Sequence, residues 1–202
     1  MQKLSLFQDL GGLFVFESPV TDKGLSYLTC RESLTAIRMQ GTKITDEGIK
    51  TISRFPNLNN LDLYGSDVTD ACFQDIAKLS NLYQLRLARN TKLTGKGIEQ
   101  LSGLKILNSL ALPETELTDE GMTSLGKLRN IKMLTLWKTK MSDESFLKLR
   151  EMKQLRMISI LDTAISAETV KQLQKELPET FIQTNWNKRL PREGLYERPV
   201  PE

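Results

Sequence analysis

A three-residue phrase recurs seven times along this chain at an almost fixed spacing. Each copy has an apolar residue, then Ser or Thr, and in most copies Asp; the steps between copies are 24, 24, 25, 24, 24 and 24 residues. The copies begin at Val20, Ile44, Val68, Leu93, Leu117, Met141 and Ile165. A fixed period in this range is typical of a solenoid of stacked units, not of a globular domain with a single cleft.

The apolar spacing inside each unit changes from a strand pattern to a helix pattern. In the third unit Leu58, Leu61 and Leu63 precede the phrase at Val68, and they end in a period-two alternation that predicts one short strand. After the phrase, over 73–79, the apolar residues follow helical spacing. Because every unit has the same polarity, we expect an α/β solenoid with a parallel sheet on its concave side and short helices on its convex side.

Two polar positions also recur in every unit. The residue two places before each apolar anchor is Ser18, Thr42, Ser66, Thr91, Thr115, Thr139 or Thr163, and we expect these hydroxyls to bond turn backbone across neighbouring units. The Ser or Thr after each anchor is predicted to be a helix N-cap. An Asp follows it at 22, 46, 70, 119 and 143, where the helix dipole favours anions. Such a carboxylate row can attract cations, but Gly95 and Ala167 interrupt it and capping explains it, so we expect no metal site.

The unit L-x-x-L-x-L-x-x-T-x-[IVL]-T-D-E-G-[IL] resembles the leucine-rich repeat superfamily over about residues 10–177. It is most similar to the subclass whose units end in T-D-x-G, which includes bacterial leucine-rich repeat proteins and the cysteine-containing repeats of F-box proteins. The resemblance implies a curved horseshoe that recognises proteins or peptides. The F-box relatives usually carry Cys where this chain has its hydroxyl row, and their units run longer. With no F-box-like segment before the first unit, a ubiquitin-ligase subunit is not expected.

The sequence divides into a repeat domain and two ends. We expect a short N-terminal helix or partial cap over 1–9, about seven units plus a C-terminal capping strand over 10–186, and a flexible tail over 187–202. The chain could also be a piece of a longer protein, or an array that self-associates through its ends at Leu4 and Phe7. At the far end, Trp186 is predicted to cover the core.

Several function classes are disfavoured by what the chain contains. It has no His, which removes the commonest general base and zinc ligand, and it has no phosphate-loop or nucleophile-elbow motif, so we expect neither catalysis nor a cofactor. The net charge of +3 comes from basic residues diluted by acidic ones, which argues against nucleic acid. The chain has no run of 18 apolar residues, so we expect no membrane-spanning segment. The unpaired Cys30 and Cys72 favour the cytoplasm, and we expect a monomer.

The candidate site is the concave face, where outward side chains are not required by the fold to be apolar. Two neighbouring outward rows carry aromatic and Arg residues, the types enriched at interface hot spots. The candidate partner-binding residues are Phe14, Phe16, Arg38, Asp62, Tyr64, Arg86 and Trp137, with Tyr64, Arg86 and Trp137 the leading ones. Alternatively, Phe14 and Phe16 pack under an N-terminal cap, and Tyr64 and Trp137 are isolated. We therefore expect a non-catalytic module that binds a protein or peptide; the alternative is a targeting or regulatory segment of a longer enzyme or ligase assembly.

Overall fold

The computed structural model describes residues 9–186. In these residues, eight strands form one parallel sheet and follow one another in chain order. Each strand pairs with the next at an offset of one unit, so that Ile37 faces Leu61 and Leu61 faces Leu85. The predicted N-terminal cap (1–9), except for its last residue, and the whole predicted C-terminal tail (187–202) lie outside the described residues. The strands are β1 (Gly12–Phe16), β2 (Ala36–Gln40), β3 (Asn60–Tyr64), β4 (Gln84–Arg86), β5 (Ser109–Ala111), β6 (Met133–Thr135), β7 (Met157–Ser159) and β8 (Phe181–Gln183).

A helix returns the chain between consecutive strands, as the spacing predicted. The α-helices are α1 (Asp22–Leu25), α2 (Asp46–Ile52), α3 (Cys72–Ile76), α4 (Asp119–Leu125), α5 (Asp143–Phe146) and α6 (Ala167–Glu176). The fourth unit is different, because a 3₁₀ helix at Ile98–Gly103 takes the place of the α-helix. It follows Gly95 and Gly97, both at a φ of +81°, so the chain enters this helix from a left-handed turn. A second 3₁₀ helix, Leu147–Glu151, extends α5.

The core is a continuous column of the repeated apolar residues between sheet and helices. Leu61 and Leu63 of β3, the anchor Val68 and the helix residue Phe73 are all fully buried, and the corresponding residues of units two to seven are buried in the same way. Period-two spacing in the strands and helical spacing afterwards therefore specified the core correctly. None of the helices in residues 9–186 has both the length and the apolar character that a membrane span requires.

The hydroxyl row differs from the prediction in two ways. The hydroxyls of Thr115, Thr139 and Thr163 bond within their own unit, each to the carbonyl three residues earlier, whereas the buried hydroxyls of Thr42 and Ser66 have no hydrogen-bond partner among residues 9–186. In the fourth unit the extra residue moves Thr91 to the surface, and the fully buried Asn90 takes the row position. The Asn90 amide donates to the Leu63 carbonyl at 2.8 Å and accepts from the Ser66 amide at 2.9 Å. It therefore connects two units, which the short hydroxyls do not.

The Asp row connects neighbouring units instead of lying free. Asp46 accepts from the backbone amide of Thr69 at 3.0 Å and from its hydroxyl at 2.7 Å, and Thr69 is the residue after the apolar anchor of the following unit. The predicted N-cap position is confirmed in the units where α-helices begin after Thr45, Thr118, Ser142 and Ser166, but it is wrong at Thr69, where α3 begins two residues later than predicted. The other Asp residues of the row, at 22, 70, 119 and 143, also accept from the Ser or Thr that follows the anchor of the next unit. We call these contacts the Asp clasps. Bonds from the next N-cap lower the pKa of Asp143, because they favour its charged form.

Candidate functional site

An ion triad lies on three adjacent strands, β2 to β4, of the concave face. Strand register places Arg38, Asp62 and Arg86 side by side in one outward row. Asp62 is only 8% exposed; its Oδ2 lies 3.6 Å from Nε of Arg38 and its Oδ1 lies 4.0 Å from Nε of Arg86. Burial raises the pKa of Asp62, and the two guanidinium groups oppose that rise in part. The triad therefore holds a desolvated carboxylate by charge, at distances too long for direct hydrogen bonds.

The N-terminal end of the same face is apolar and open. Phe14 of β1 lies next to Arg38 in the row of the triad, and Phe16 is the next outward residue of β1, two residues further along. Their exposed fractions are 56% and 55%, so nothing in residues 9–186 covers them. The Arg38 guanidinium lies 5.7 Å from the centre of the Phe14 ring, a cation–π distance. Through Arg38, Phe14 thus forms one continuous surface with the triad.

Tyr64 and Trp137 each lie beneath a cation. Arg89 lies 5.9 Å from the Tyr64 ring centre and donates a hydrogen bond to the Tyr64 hydroxyl at 3.3 Å. Lys138 lies 5.8 Å from the Trp137 ring centre. The interaction with Tyr64 raises the pKa of Arg89, which keeps this cation charged. Both aromatics are partly buried, and their remaining surface is presented together with a positive charge.

Sequence reasoning missed these two cations, although a signal for them was present. They belong to a row in which every unit adopts a left-handed backbone, with φ between +44° and +62°: Glu17, Gly41, Gly65, Arg89, Glu114, Lys138 and Asp162. Gly is the residue that this conformation favours, and it occupies only two of the seven places. Arg89 and Lys138 are the two cations of this row, and the repeat places Arg89 one unit after Gly65, beside Tyr64, while Lys138 directly follows Trp137; this pairing of cation and aromatic is the signal that could have identified them.

The predicted site residues do not form a single cluster. Phe14, Arg38, Asp62 and Arg86 are contiguous, and Phe16 and Tyr64 share the neighbouring row through Gln40. Trp137 lies apart in the sixth unit, about 14 Å from Tyr64 if three strand spacings are counted. Ala88 and Pro113, both buried, occupy that row in between. The face is therefore a shallow floor bounded by Tyr64 with Arg89 on one side and Trp137 with Lys138 on the other.

The carboxylates around this face are already engaged, while its aromatic and cationic groups remain available. Residues 9–186 contain no group of three or more metal-ligating side chains placed to hold an ion. The carboxylates of the Asp clasps accept from neighbouring units, and Asp62 is held between two guanidinium groups. Aromatic faces beside guanidinium and ammonium groups offer apolar contact, cation–π contact and hydrogen-bond donors together.

Comparisons with known proteins agree with the fold. Residues 32–53 match the family model described as Leucine Rich repeat. No curated protein sequence matches the chain significantly. The structure is similar to an internalin of Listeria monocytogenes (inlF; TM-score 0.54, 17% identity), covering 90% of this chain and 62% of that one. It is also similar to a leucine-rich repeat protein of Leptospira interrogans (TM-score 0.64, 16% identity), covering 91% of this chain and 51% of that one.

A third similar structure is the plant peptide hormone receptor RGFR1 in complex with RGF2 (TM-score 0.52, 16% identity), with coverage of 89% of this chain and 33% of the receptor. At these identities the likeness concerns the fold alone. The chain spans between a third and two thirds of the length of these three neighbours. The family match, the parallel sheet and the neighbours together show a leucine-rich repeat solenoid, an open horseshoe with its sheet on the concave side.

Proposed function

We propose that this chain is a non-catalytic module that binds a protein or peptide partner through its concave face. The observation that carries the proposal is that this face keeps aromatic and guanidinium side chains at positions where the fold requires neither. Phe14 and Phe16 are more than half exposed, and Tyr64 and Trp137 each present a ring with a cation beside it. Exposed aromatic clusters are uncommon unless something covers them, and such residues dominate binding energy at interfaces.

The fold neighbours support the same role by analogy. One of them is a receptor whose structure contains a peptide hormone, so this type of solenoid can present a peptide-binding surface. The recurring T-D-x-G unit ending supports placing the chain in the subclass that includes bacterial leucine-rich repeat proteins. The unpaired thiols of Cys30 and Cys72, both buried, support a reducing compartment and hence the cytoplasm, which fractionation of the source cells tests. The mixed surface charge supports a monomer that binds neither nucleic acid nor membrane.

A double variant, Tyr64→Ala with Trp137→Ala, tests the proposal. Both side chains are partly exposed on the concave face, so their removal leaves the core intact, and we expect an unchanged circular dichroism spectrum. Pull-downs from the source cells, quantified by mass spectrometry, should lose at least one protein that wild type retains.

The matched control is Lys171→Ala with Gln172→Ala on the exposed side of α6, which removes two long side chains from the convex surface. It should retain the proteins that wild type retains. An identical set of retained proteins for wild type and for the Tyr64 and Trp137 variant would contradict the concave-face proposal.

A further inference from the structure

Two apolar side chains lie together at the starts of β4 and β5, at the edge of the sheet opposite the strand ends that carry Tyr64 and Trp137. Tyr83 and Ile106 are each 49% exposed. They line one groove of about 450 Å³. The rest of its lining consists of uncharged amides, namely Asn57, Asn59, Asn60 and Asn81.

Ile106 breaks a polar row that connects the units. The corresponding residues of five other units each donate a side-chain hydrogen bond to a carbonyl of the unit before: Ser33, Asn57, Asn81, Asn130 and Gln154. Ile106 has no donor to contribute and is half exposed, so it supports neither the row nor the core. The repeat therefore gives no structural reason for an aliphatic side chain at this place.

Tyr83 breaks a second row in the adjacent unit. The corresponding residues in other units are polar or Gly, namely Gly11, Thr35, Asn59, Asn108, Lys132 and Arg156. Tyr83 and Asn108 belong to neighbouring units joined directly, because the Asn108 amide donates to the Tyr83 carbonyl at 2.9 Å. Two apolar departures from two separate polar rows thus meet in one groove. Such a patch, with polar groups around it, is typical of a binding site.

The amides around the pair offer both acceptors and donors. Asn57 and Asn81 use their Nδ2 groups on the Glu32 and Pro56 carbonyls, at 2.7 and 2.9 Å, and Asn60 uses its Nδ2 group on Gln84. Each of these groups uses one of its two N–H donors in that bond, so its oxygen and its second N–H are left for a ligand. The Asn59 carbonyl is already paired, since it accepts from two amides of the next unit. We therefore assign recognition at this groove to the side-chain amides and the apolar pair.

We propose that this groove binds an extended, uncharged peptide segment of a protein partner. One aliphatic or aromatic side chain of the segment packs against Tyr83 and Ile106, and its main-chain N–H groups donate to the Asn oxygens. A charged group would lose its water here against a lining without a countercharge, and that transfer is costly. A peptide N–H is neutral and needs an acceptor, which the Asn57 and Asn81 oxygens supply. The groove thus adds a second contact point beyond the proposed concave face.

The Ile106→Asn variant separates binding from folding, because it completes the polar row while it removes half of the apolar pair. We expect its urea midpoint to equal or exceed that of wild type. Random 12-residue peptides displayed on phage would be selected on wild type and depleted on Tyr83→Asn, and the selected peptides synthesised for calorimetry, so that Ile106→Asn remains an independent test. They should be uncharged with an apolar residue, and should bind Ile106→Asn and Tyr83→Asn at least tenfold more weakly than wild type.

The Tyr64→Ala, Trp137→Ala variant is the control that keeps the two proposals apart, since it should bind the selected peptides as wild type does. Selected peptides that bind Ile106→Asn as tightly as wild type would overturn the groove proposal, as would a failure to enrich any peptide. A predominance of charged peptides would overturn it too. If instead a glycan array shows binding that Ile106→Asn abolishes, the groove is a sugar site and the peptide assignment is wrong.

Discussion

Replacement of Gly121 by Ala tests how the fourth and fifth units are joined. The fourth unit has Gly95 where its neighbours have Asp, so it has no Asp clasp to the next unit. There the Thr118 amide and hydroxyl donate to the Thr94 carbonyl, at 3.0 and 3.3 Å. A Cβ on Gly121 would lie 2.1 Å from that carbonyl oxygen and 3.0 Å from the Gly95 Cα. Both obstacles are backbone, so the two units must move apart.

The expected loss follows from three contributions. Overpacking against a fixed neighbour costs about 1–3 kcal/mol. Separating the units weakens the bonds to the Thr94 carbonyl, and one lost hydrogen bond adds about 1 kcal/mol. Ala is better than Gly inside a helix by about 1 kcal/mol, which offsets that loss. We therefore expect Gly121→Ala to lower the free energy of unfolding by about 2 kcal/mol.

Urea unfolding followed by circular dichroism measures this loss against two matched Gly→Ala variants. Gly48 holds the same position in the second unit, but its added Cβ meets side-chain atoms of Asp22 and Ile44 at 2.4 and 2.6 Å. Side chains can rotate away more easily than backbone, so Gly48→Ala should cost less. Gly103 has nothing within 4 Å, and its variant should leave stability nearly unchanged. If Gly121→Ala proved as stable as Gly103→Ala, the close backbone contact would not be what joins these units.

Three further predictions concern single side chains, each followed by urea unfolding. Asp46→Ala removes a clasp whose charged acceptor receives two bonds from Thr69, so we expect a loss of about 1–3 kcal/mol; a loss below that of an ordinary surface substitution would contradict the role of the clasps. Lys138→Gly relieves the strain of a left-handed residue at a φ of +53°. The gain of about 1 kcal/mol in folding stability is largely offset by the greater chain entropy of Gly in the unfolded state, so stability should stay level or rise slightly. A clear loss would show that the ammonium above Trp137 contributes more than the backbone strain costs. Burial raises the pKa of Asp62 above its ordinary 3.8, so the folded state keeps the Asp62 proton to higher pH than the unfolded state does. The free energy of unfolding therefore falls as the pH rises from the unfolded-state pKa to the folded-state pKa. Asp62→Asn removes this dependence, and a constant stability difference between variant and wild type from acid to neutral pH would refute it.

The sequence predicted the architecture because a solenoid repeats one set of physical demands. Each unit must bury the same strand and helix residues, so period and residue type identify the buried residues, as at Leu61 and Phe73. The fourth unit was predicted less well for the same reason. Its extra residue shifts Thr91 out and Asn90 in, and a hydroxyl at the expected spacing hid a longer amide that reaches the previous unit. A single insertion cannot be placed by spacing alone, because both neighbours are polar.

The surface is harder to predict because the repeat constrains it least, yet departures from the repeat remain informative when they coincide in space. Ile106 by itself is an exposed aliphatic residue of a kind that every protein carries. Tyr83 by itself is one aromatic residue in a row that is otherwise polar or Gly. Only the structure shows that both line one groove, and two departures from different rows at one place are harder to attribute to drift than either alone. The same reasoning applies to Arg89 and Lys138, whose left-handed backbone costs stability where Gly would be more favourable. A surface that retains such costs beside its aromatics is therefore the part of this solenoid in which to look for selection by a partner.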